Sequence, residues 1–182
     1  MEFTKRERKS VLTNGEKSMS KCKVLIVDDI AENIAQVVDM LSNLDIEIKK
    51  AYGGKEAIEL VETYKPNIVL LDLMMPEVNG WDVIQHIRAK YDKNEMIIII
   101  TSLLNNKDNI DECYEMGVND YVTKPIIPAR IRSSVESHMK NIRNEENEPR
   151  AEHHQLKKAQ PASLIEMDPA KYIGWIHPIK QE

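Results

Sequence analysis

The chain has 182 residues and a formal net charge of −5, with 42% hydrophobic and 30% charged residues. This composition is typical of a soluble globular protein, and the length predicts one domain with short appendages. It excludes a membrane protein, because no apolar run approaches the roughly 20 residues that a span needs. The two cysteines, Cys22 and Cys113, follow no metal-ligand or disulfide pattern, which favours a reduced, cytoplasmic protein.

The charge is unevenly distributed along the chain. The first 23 residues are basic, whereas residues 24–140 are acidic. Because residues 1–20 are polar and have no periodicity, we interpret them as a disordered basic extension, without the apolar stretch of a secretory signal. The acidic central region argues against direct binding of nucleic acid.

From residue 23 onward, aliphatic runs alternate with helical patterns. The runs predict strands over 23–27, 46–51, 67–71, 96–101 and 120–123. Between and after the strands the sequence predicts five helices. Residues 55–64 form one, and apolar residues spaced three or four apart define the faces of the other four. These faces are, in chain order, Ile34, Val37, Val38, Leu41 and Leu44; Val83, Ile84 and Ile87; Ile110 and Cys113; and Ile131, Val135, Met139 and Ile142. This alternation predicts an α/β fold, a five-stranded parallel sheet with helices on both faces.

Polar side chains follow the apolar runs at the ends of four predicted strands. Asp28 and Asp29 follow the first strand, Asp72 follows the third, Thr101 ends the fourth and Lys124 follows the fifth. Each of these residues alone is typical of a turn or a helix cap. Because ligands of parallel sheets bind at the carboxyl ends of the strands, we expect the five side chains to converge there.

Three carboxylates in one place repel each other and favour a bound cation. Oxygen ligands without His or Cys select a hard ion, and this predicts Mg²⁺ as the cofactor. Ammonium, hydroxyl and Mg²⁺ are the usual partners of a phosphoryl group in transfer, and a carboxylate can serve as its acceptor. The set therefore points to phosphoryl chemistry at this edge of the sheet.

The runs VLIVDDI, IVLLDLMMPEVNG, IIIITS and DYVTKP resemble, in order and spacing, the receiver domain of two-component response regulators. The resemblance covers about residues 23–142 and implies the flavodoxin-like (βα)5 receiver fold. It implies that Asp72 is the phosphoacceptor and that the donor is a phosphohistidine of a sensor histidine kinase or phosphotransfer protein. On this reading the chain is a signalling domain and not an enzyme acting on other substrates.

The resemblance also implies the roles of the neighbouring residues. Asp28, Asp29 and Asp72, with the backbone carbonyl of Met74, correspond to the Mg²⁺ ligands of the family. Lys124 corresponds to the lysine that pairs with the phosphoryl group, and the bond from Lys124 to Pro125 to the family's cis peptide bond.

Two residues resemble the family's conformational switch. Thr101 corresponds to the hydroxyl residue that moves to the phosphoryl group, and Tyr121 to the aromatic residue that turns inward with it. In this family the face formed by the fourth helix, fifth strand and fifth helix commonly dimerises or docks partners, so we expect that face either to form a homodimer or to bind a partner.

Two apolar residues are expected to set the lifetime of the phosphorylated state. Met74 and Leu103 stand two residues after Asp72 and Thr101, where the side chains of receivers flank the path of the hydrolytic water. Neither side chain can orient a water molecule, which predicts slow self-dephosphorylation.

The boundaries and alternatives follow from the same pattern. We expect the receiver to span 21–143, a linker 144–161 and an apolar tail 162–182 that packs on the receiver or on a partner. The alternatives are a docking module that works unphosphorylated, and a receiver fragment of a longer cyclic-dinucleotide or hybrid-kinase protein. A haloacid-dehalogenase-like phosphatase is disfavoured because Met74 stands where such enzymes carry a second Asp. No nucleotide-binding glycine loop is present in the sequence, so the donor is not ATP bound here.

Overall fold

The computed structural model describes residues 21–147, and the basic extension, the tail and most of the predicted linker lie outside this range. Five strands alternate with five helices along the described chain. The strands are β1 Cys22–Val27, β2 Ile46–Ala51, β3 Ile68–Leu71, β4 Ile97–Ser102 and β5 Asp120–Thr123. The helices are α1 Ala31–Met40, α2 Gly54–Tyr64, α3 Gly80–Arg88, α4 Lys107–Glu115 and α5 Pro128–Asn147.

The five strands form one sheet in the order β2-β1-β3-β4-β5, with every neighbouring pair parallel. The parallel α/β architecture predicted from the sequence is therefore confirmed. The order places β1 and β3 side by side in the middle of the sheet. The residues that follow these two strands consequently lie next to each other at its carboxyl edge.

The sheet is covered on both faces, and each face has its own apolar core. One core joins alternate residues of the central strands to α2, α3 and α4, for example Leu71, Val61 and Ile84. The other joins the intervening residues to α1 and α5, for example Leu70 and Ile131. Because successive side chains of a strand point to opposite faces, an all-aliphatic strand fills both cores.

The helix faces predicted from apolar spacing pack as expected on one side of the sheet. Buried there are Ile34 and Val37 of α1, Leu41 directly after α1, and Ile131, Val135 and Met139 of α5. α5 continues to Asn147, beyond the receiver boundary expected at residue 143. Within residues 21–147, no helix combines the length and apolar character needed to cross a membrane.

Candidate functional site

The register of the sheet brings the predicted site residues to one level. Val27 pairs with Leu71, and Leu71 pairs with Ile100, so the residues that follow these three, Asp28, Asp72 and Thr101, stand side by side. Asp28, Asp29 and Asp72 each offer one carboxylate oxygen to a cluster in which the three oxygens lie within 4.8 Å of one another. Asp28 and Asp72 are buried, whereas Asp29 is exposed and forms the solvent side of the cluster.

Lys124 reaches this cluster from the far side of β4. Its Nζ lies 2.7 Å from Oδ2 of Asp28 and 2.7 Å from Oδ2 of Asp72. Its backbone N–H donates to the carbonyl of Ser102 at 2.8 Å, which fixes the start of the β5–α5 loop to the end of β4. The peptide bond from Lys124 to Pro125 is cis, as the resemblance implies.

Asp28 is held by hydrogen bonds that the sequence did not reveal. Its Oδ1 accepts from the backbone N–H of Ile30 at 2.9 Å and from Nδ2 of Asn33 at 2.9 Å, and its Oδ2 lies 3.1 Å from the same Asn33 nitrogen. Asn33 lies in the first turn of α1, five residues after Asp28. Its amide therefore orients the Asp28 carboxylate, and its position in the first turn is the signal that sequence reasoning missed.

Burial and charge pairing shift the pKa values of Asp72 and Lys124 in opposite directions. Burial raises the pKa of Asp72 above its usual value, and the ion pair with Lys124 offsets only part of that rise. Burial by itself lowers the pKa of Lys124, but the hydrogen bonds and charges of Asp28 and Asp72 outweigh it and raise the pKa. Burial therefore disfavours the ionised form of Asp72 more than Lys124 stabilises it.

The donor set fits a hard divalent cation. Three carboxylates against one ammonium leave a formal excess of two negative charges. All the side-chain ligands are oxygens, as Mg²⁺ prefers, and Mg²⁺ usually keeps several waters while taking one or two carboxylates from the protein. The exposed Asp29 leaves one side of the cluster open to such waters.

Met74, the fourth expected ligand, lies in the loop between β3 and α3. Its backbone N–H donates to Oδ1 of Asp72 at 3.2 Å, which holds the two residues together. The loop is closed by a bond from the N–H of Gly80 to the carbonyl of Leu73 at 3.0 Å. Asn79 then begins α3 with a capping box to Asp82.

The two expected switch residues are both buried. Thr101 ends the run of aliphatic residues in β4 and is 4% exposed. Tyr121 is 8% exposed, and its hydroxyl donates to the carbonyl of Leu104 in the β4–α4 loop at 2.7 Å. Burial raises the pKa of Tyr121 to about 12, although a hydrogen bond with the Ser102 side chain acts in the opposite direction. The aromatic side chain therefore lies inside and is tied to the loop that follows Thr101.

The loops at the carboxyl edge of the sheet carry exposed apolar side chains, which we call the apolar ring. Each of the five loops that leave the carboxyl ends of the strands contributes one of them. They are Ile30, Tyr52, Met74, Leu103 and Ile127. Exposed apolar groups grouped around a polar pocket are typical of a surface that contacts another protein.

Residues 24–136 match the model of the response regulator receiver domain, and the chain therefore belongs to that family. The sheet order and the acidic pocket at its carboxyl edge agree with this assignment.

Three relatives illustrate the similarity. A Vibrio cholerae protein named "Probable cyclic di-GMP phosphodiesterase" is 34% identical over 128 residues, which are 70% of this chain and 29% of that protein. The chemotaxis protein CheY of Thermotoga maritima is 36% identical over 110 residues, covering 60% of this chain and 90% of that protein. The receiver domain of a Francisella response regulator superposes with a TM-score of 0.58 at 31% identity, covering 65% of this chain and 96% of that one.

The match to longer relatives is confined to part of their length. The chain spans 29% of the Vibrio cholerae protein and 50% and 52% of two proteins named "Probable transcriptional regulator ycf27", from Porphyridium aerugineum and Cyanophora paradoxa. What these proteins share with the chain is therefore the receiver domain.

Proposed function

We propose that this receiver accepts a phosphoryl group on Asp72, in a reaction that depends on Mg²⁺, and that the donor is a phosphohistidine of a sensor histidine kinase or phosphotransfer protein. The observation that carries the proposal is the buried Asp72 carboxylate, paired with Lys124 and clustered with Asp28 and Asp29. In a member of the receiver family, this arrangement is the one that phosphoryl transfer to a carboxylate requires.

The reaction exchanges one phosphorus bond for another. An oxygen of the Asp72 carboxylate attacks the phosphorus, the bond from phosphorus to the histidine nitrogen breaks, and that nitrogen keeps the electron pair. The ring leaves as a neutral imidazole because its other nitrogen carries a proton, taken up from water before the bond breaks. The product is an acyl phosphate on Asp72. When bound by Asp28, Asp29, Asp72 and the Met74 carbonyl, Mg²⁺ supplies positive charge for the phosphoryl oxygens.

The residues of the chain divide the remaining work. The rigid end of β3 positions the Asp72 carboxylate, since Leu71 and its neighbours are fully buried. Lys124 is close enough to exchange its contact with the Asp72 carboxylate for one with a phosphoryl oxygen. Thr101, at the same level of the sheet, supplies a hydroxyl for another phosphoryl oxygen.

The switch is proposed to act through the β4–α4 loop. Movement of Thr101 toward a phosphoryl group would alter this loop, which Tyr121 holds through the carbonyl of Leu104. Such a local change in charge and hydrogen bonding biases a two-state element. The affected surface is the α4–β5–α5 face, which we propose as the homodimer or partner surface. On it Asp120 binds Arg130 at 2.7 Å and Ser134.

The donor is proposed to dock on the apolar ring. Asp72 follows β3, the central strand of the sheet, so a protein that delivers a phosphoryl group to it approaches between the loops of the neighbouring strands. The apolar ring favours a macromolecular donor over a small one, because only a macromolecule is large enough to bury these side chains.

The test is intact mass spectrometry after incubation with acetyl phosphate and Mg²⁺. We expect the wild type to gain one phosphoryl group, about 80 Da, and Asp72→Asn to gain none. Asp39→Asn, a matched change at an exposed Asp of α1, should gain it as the wild type does. The added mass should be removed by hydroxylamine, which cleaves acyl phosphates. Equal labelling of wild type and Asp72→Asn would contradict the assignment, and no labelling of a wild type that binds Mg²⁺ would favour a docking module.

A further inference from the structure

The loop between β3 and α3 carries the expected Met74 ligand and is closed on itself. The N–H of Gly80 donates to the carbonyl of Leu73 at 3.0 Å, and the N–H of Val78 donates to the carbonyl of Pro76 at 2.8 Å. Glu77 adopts a left-handed conformation with φ of 63°. Because these bonds tie Val78 to Pro76 and the end of the loop to Leu73, we expect a shift of Val78 to change the position of Met74 as well.

Gly54, the first residue of α2, lies against the outside of this loop. A Cβ atom at Gly54 would lie 2.8 Å from the carbonyl carbon of Val78, 2.7 Å from its Cγ1, and closer still to its carbonyl oxygen. Real Cβ atoms essentially never approach other atoms within 3.0 Å. The obstacle is mainly backbone, which cannot rotate away as the end of a side chain can.

The helix cannot retreat to make room. Gly54 is buried, and Ala57 and Val61 of the same helix are fully buried in the core beside the sheet. The N–H of Ala57 also donates to the carbonyl of Gly53 at 3.0 Å, which completes the first turn of α2. A side chain at position 54 would therefore displace the loop before it displaced the helix.

The inner side of the loop rests on a second glycine. A Cβ atom at Gly80 would lie 2.6 Å from the Cα of Leu73 and closer still to the carbonyl oxygen of Asp72. The loop therefore has two close backbone contacts, one between Val78 and Gly54 and the other between Gly80 and Asp72. We call these two contacts the glycine seat.

We propose that Gly54 is a positioning residue for the metal site, because its lack of a side chain sets where the β3–α3 loop, and with it the Met74 carbonyl, lies relative to Asp72. The inference rests on the proposed function, in which that carbonyl is a Mg²⁺ ligand. It assigns a role in metal binding to the start of a helix that contributes no ligand itself.

The chain offers a matched control in the preceding residue. A Cβ atom at Gly53 would meet nothing within 4 Å, and its φ of 168° is extended backbone that any residue adopts. Gly53→Ala and Gly54→Ala therefore make the same chemical change one residue apart, with a steric consequence only at 54.

The experiment measures the Mg²⁺ dissociation constant by titration calorimetry, with circular dichroism of each protein without Mg²⁺. We expect Gly54→Ala to weaken Mg²⁺ binding by about tenfold or more, the size of effect seen when the support of a metal ligand is lost. Gly53→Ala should bind as the wild type does. Wild-type affinity in a folded Gly54→Ala, or an equal loss in Gly53→Ala, would overturn the proposal.

A second measurement uses the wild type and does not depend on the folding of a variant. Amide hydrogen exchange is compared with and without Mg²⁺, and the amides of Gly54 and Lys55 should slow together with that of Val78. Unchanged exchange at Gly54 and Lys55 while Mg²⁺ binds would overturn the proposal. The two proposals can fail separately. If the wild type is phosphorylated but Gly54→Ala binds Mg²⁺ as tightly as the wild type does, only this inference is refuted. If the wild type binds Mg²⁺ but accepts no phosphoryl group, only the proposed function is refuted.

Discussion

The Nζ of Lys124 lies 2.7 Å from Oδ2 of Asp72, a residue 52 positions earlier in the chain. The two side chains are 11% and 7% exposed, so the ion pair is largely removed from water. The same ammonium is 2.7 Å from Asp28, and it therefore binds two of the carboxylates expected to ligate Mg²⁺. A metal ion bound there would consequently share this negative charge with the ammonium.

Replacing Lys124 should separate metal binding from phosphoryl acceptance. Lys124→Met removes the competing cation, and we expect Mg²⁺ to bind about fivefold more tightly, equivalent to about 1 kcal/mol of electrostatic attraction. Phosphorylation by acetyl phosphate should decrease, because the variant lacks the ammonium group that pairs with the negative phosphoryl oxygens. Calorimetry and intact mass measure the two effects.

Lys140→Met provides the control, since Lys140 is exposed on α5. It should change neither Mg²⁺ affinity nor labelling. Weaker Mg²⁺ binding in Lys124→Met would mean that Lys124 supports the ligand geometry more than it competes for charge.

Hydrolysis of the phosphorylated protein is expected to be slow, with a half-life on the order of hours, because no polar side chain orients the attacking water. Met74 and Leu103 are 49% and 71% exposed at the edge of the pocket and are both apolar. Met74→Asn and Leu103→Asn should each shorten the half-life, by about tenfold if the amide positions the water. The measurement is the decay of the mass-shifted species after acetyl phosphate is removed.

Tyr114→Asn is the matched control for these variants. Tyr114 is also exposed, on α4, and should leave the half-life as it is. A wild-type protein that hydrolyses within a minute would show that water reaches the acyl phosphate without help from these two positions.

Arg88 should contribute to stability at the edge of the sheet opposite the acidic pocket. Its guanidinium donates to the carbonyls of Gly117 at 3.0 Å and Met96 at 2.9 Å and to Oδ1 of Asn119 at 3.0 Å. Burial lowers the pKa of Arg88 to about 10. A lysine cannot span these acceptors, so Arg88→Lys should lower the free energy of unfolding by about 2 kcal/mol.

Urea denaturation measures this effect, with Arg132→Lys as the control. Arg132 makes one weaker contact, from Nε to the carbonyl of Met40 at 3.3 Å, and its replacement should cost less. Phosphoryl labelling of Arg88→Lys should persist while the protein is folded, because the change lies away from Asp72. Equal losses in the two variants would show that the Arg88 hydrogen bonds add nothing beyond an ordinary surface arginine.

Tyr121 should make the protein less stable at alkaline pH. Because burial raises its folded-state pKa to about 12 from 10.0, the stabilising effect is complete below pH 10 and is lost as pH rises toward 12. Tyr121→Phe should make the free energy of unfolding fall less steeply with pH in that window. At lower pH the variant should lose about 1 kcal/mol for the hydrogen bond to Leu104.

Urea denaturation at several pH values from 8 to 11 gives both quantities, and Tyr52→Phe at an exposed position is the control. Burial also raises the pKa of Tyr64, so a smaller alkaline slope should persist in Tyr121→Phe. An unchanged slope in that variant would mean that Tyr121 ionises without opening its site.

The strand ends were predictable from the sequence because their signal is local. Four of the five predicted strands end at a polar residue, and the observed strands begin and end within one residue of the predicted ones. The positions of Asp28, Asp72 and Thr101 at one edge then follow from the parallel pairing of β1, β3 and β4. The cis bond after Lys124 was expected only through the resemblance to receivers.

Contacts between distant residues were not predictable in the same way. No local pattern indicates that Arg88 joins the entry of β4 to that of β5, or that Gly54 meets the carbonyl of Val78. The steric role of Gly54 exists because α2 and the β3–α3 loop are brought together by the packing of both on the sheet.

The sequence by itself determined the α/β class, the two apolar cores and the list of candidate site residues. It could do so because a helix or strand that is buried on one or two faces carries a regular spacing of apolar residues along its own length. Tertiary structure decided which groups meet. Lys124 pairs with two carboxylates that are 96 and 52 residues away, and only the sheet order β2-β1-β3-β4-β5 places all three at one point. Distances between side chains from different elements depend on how those elements pack, and a pattern within one element carries no record of them.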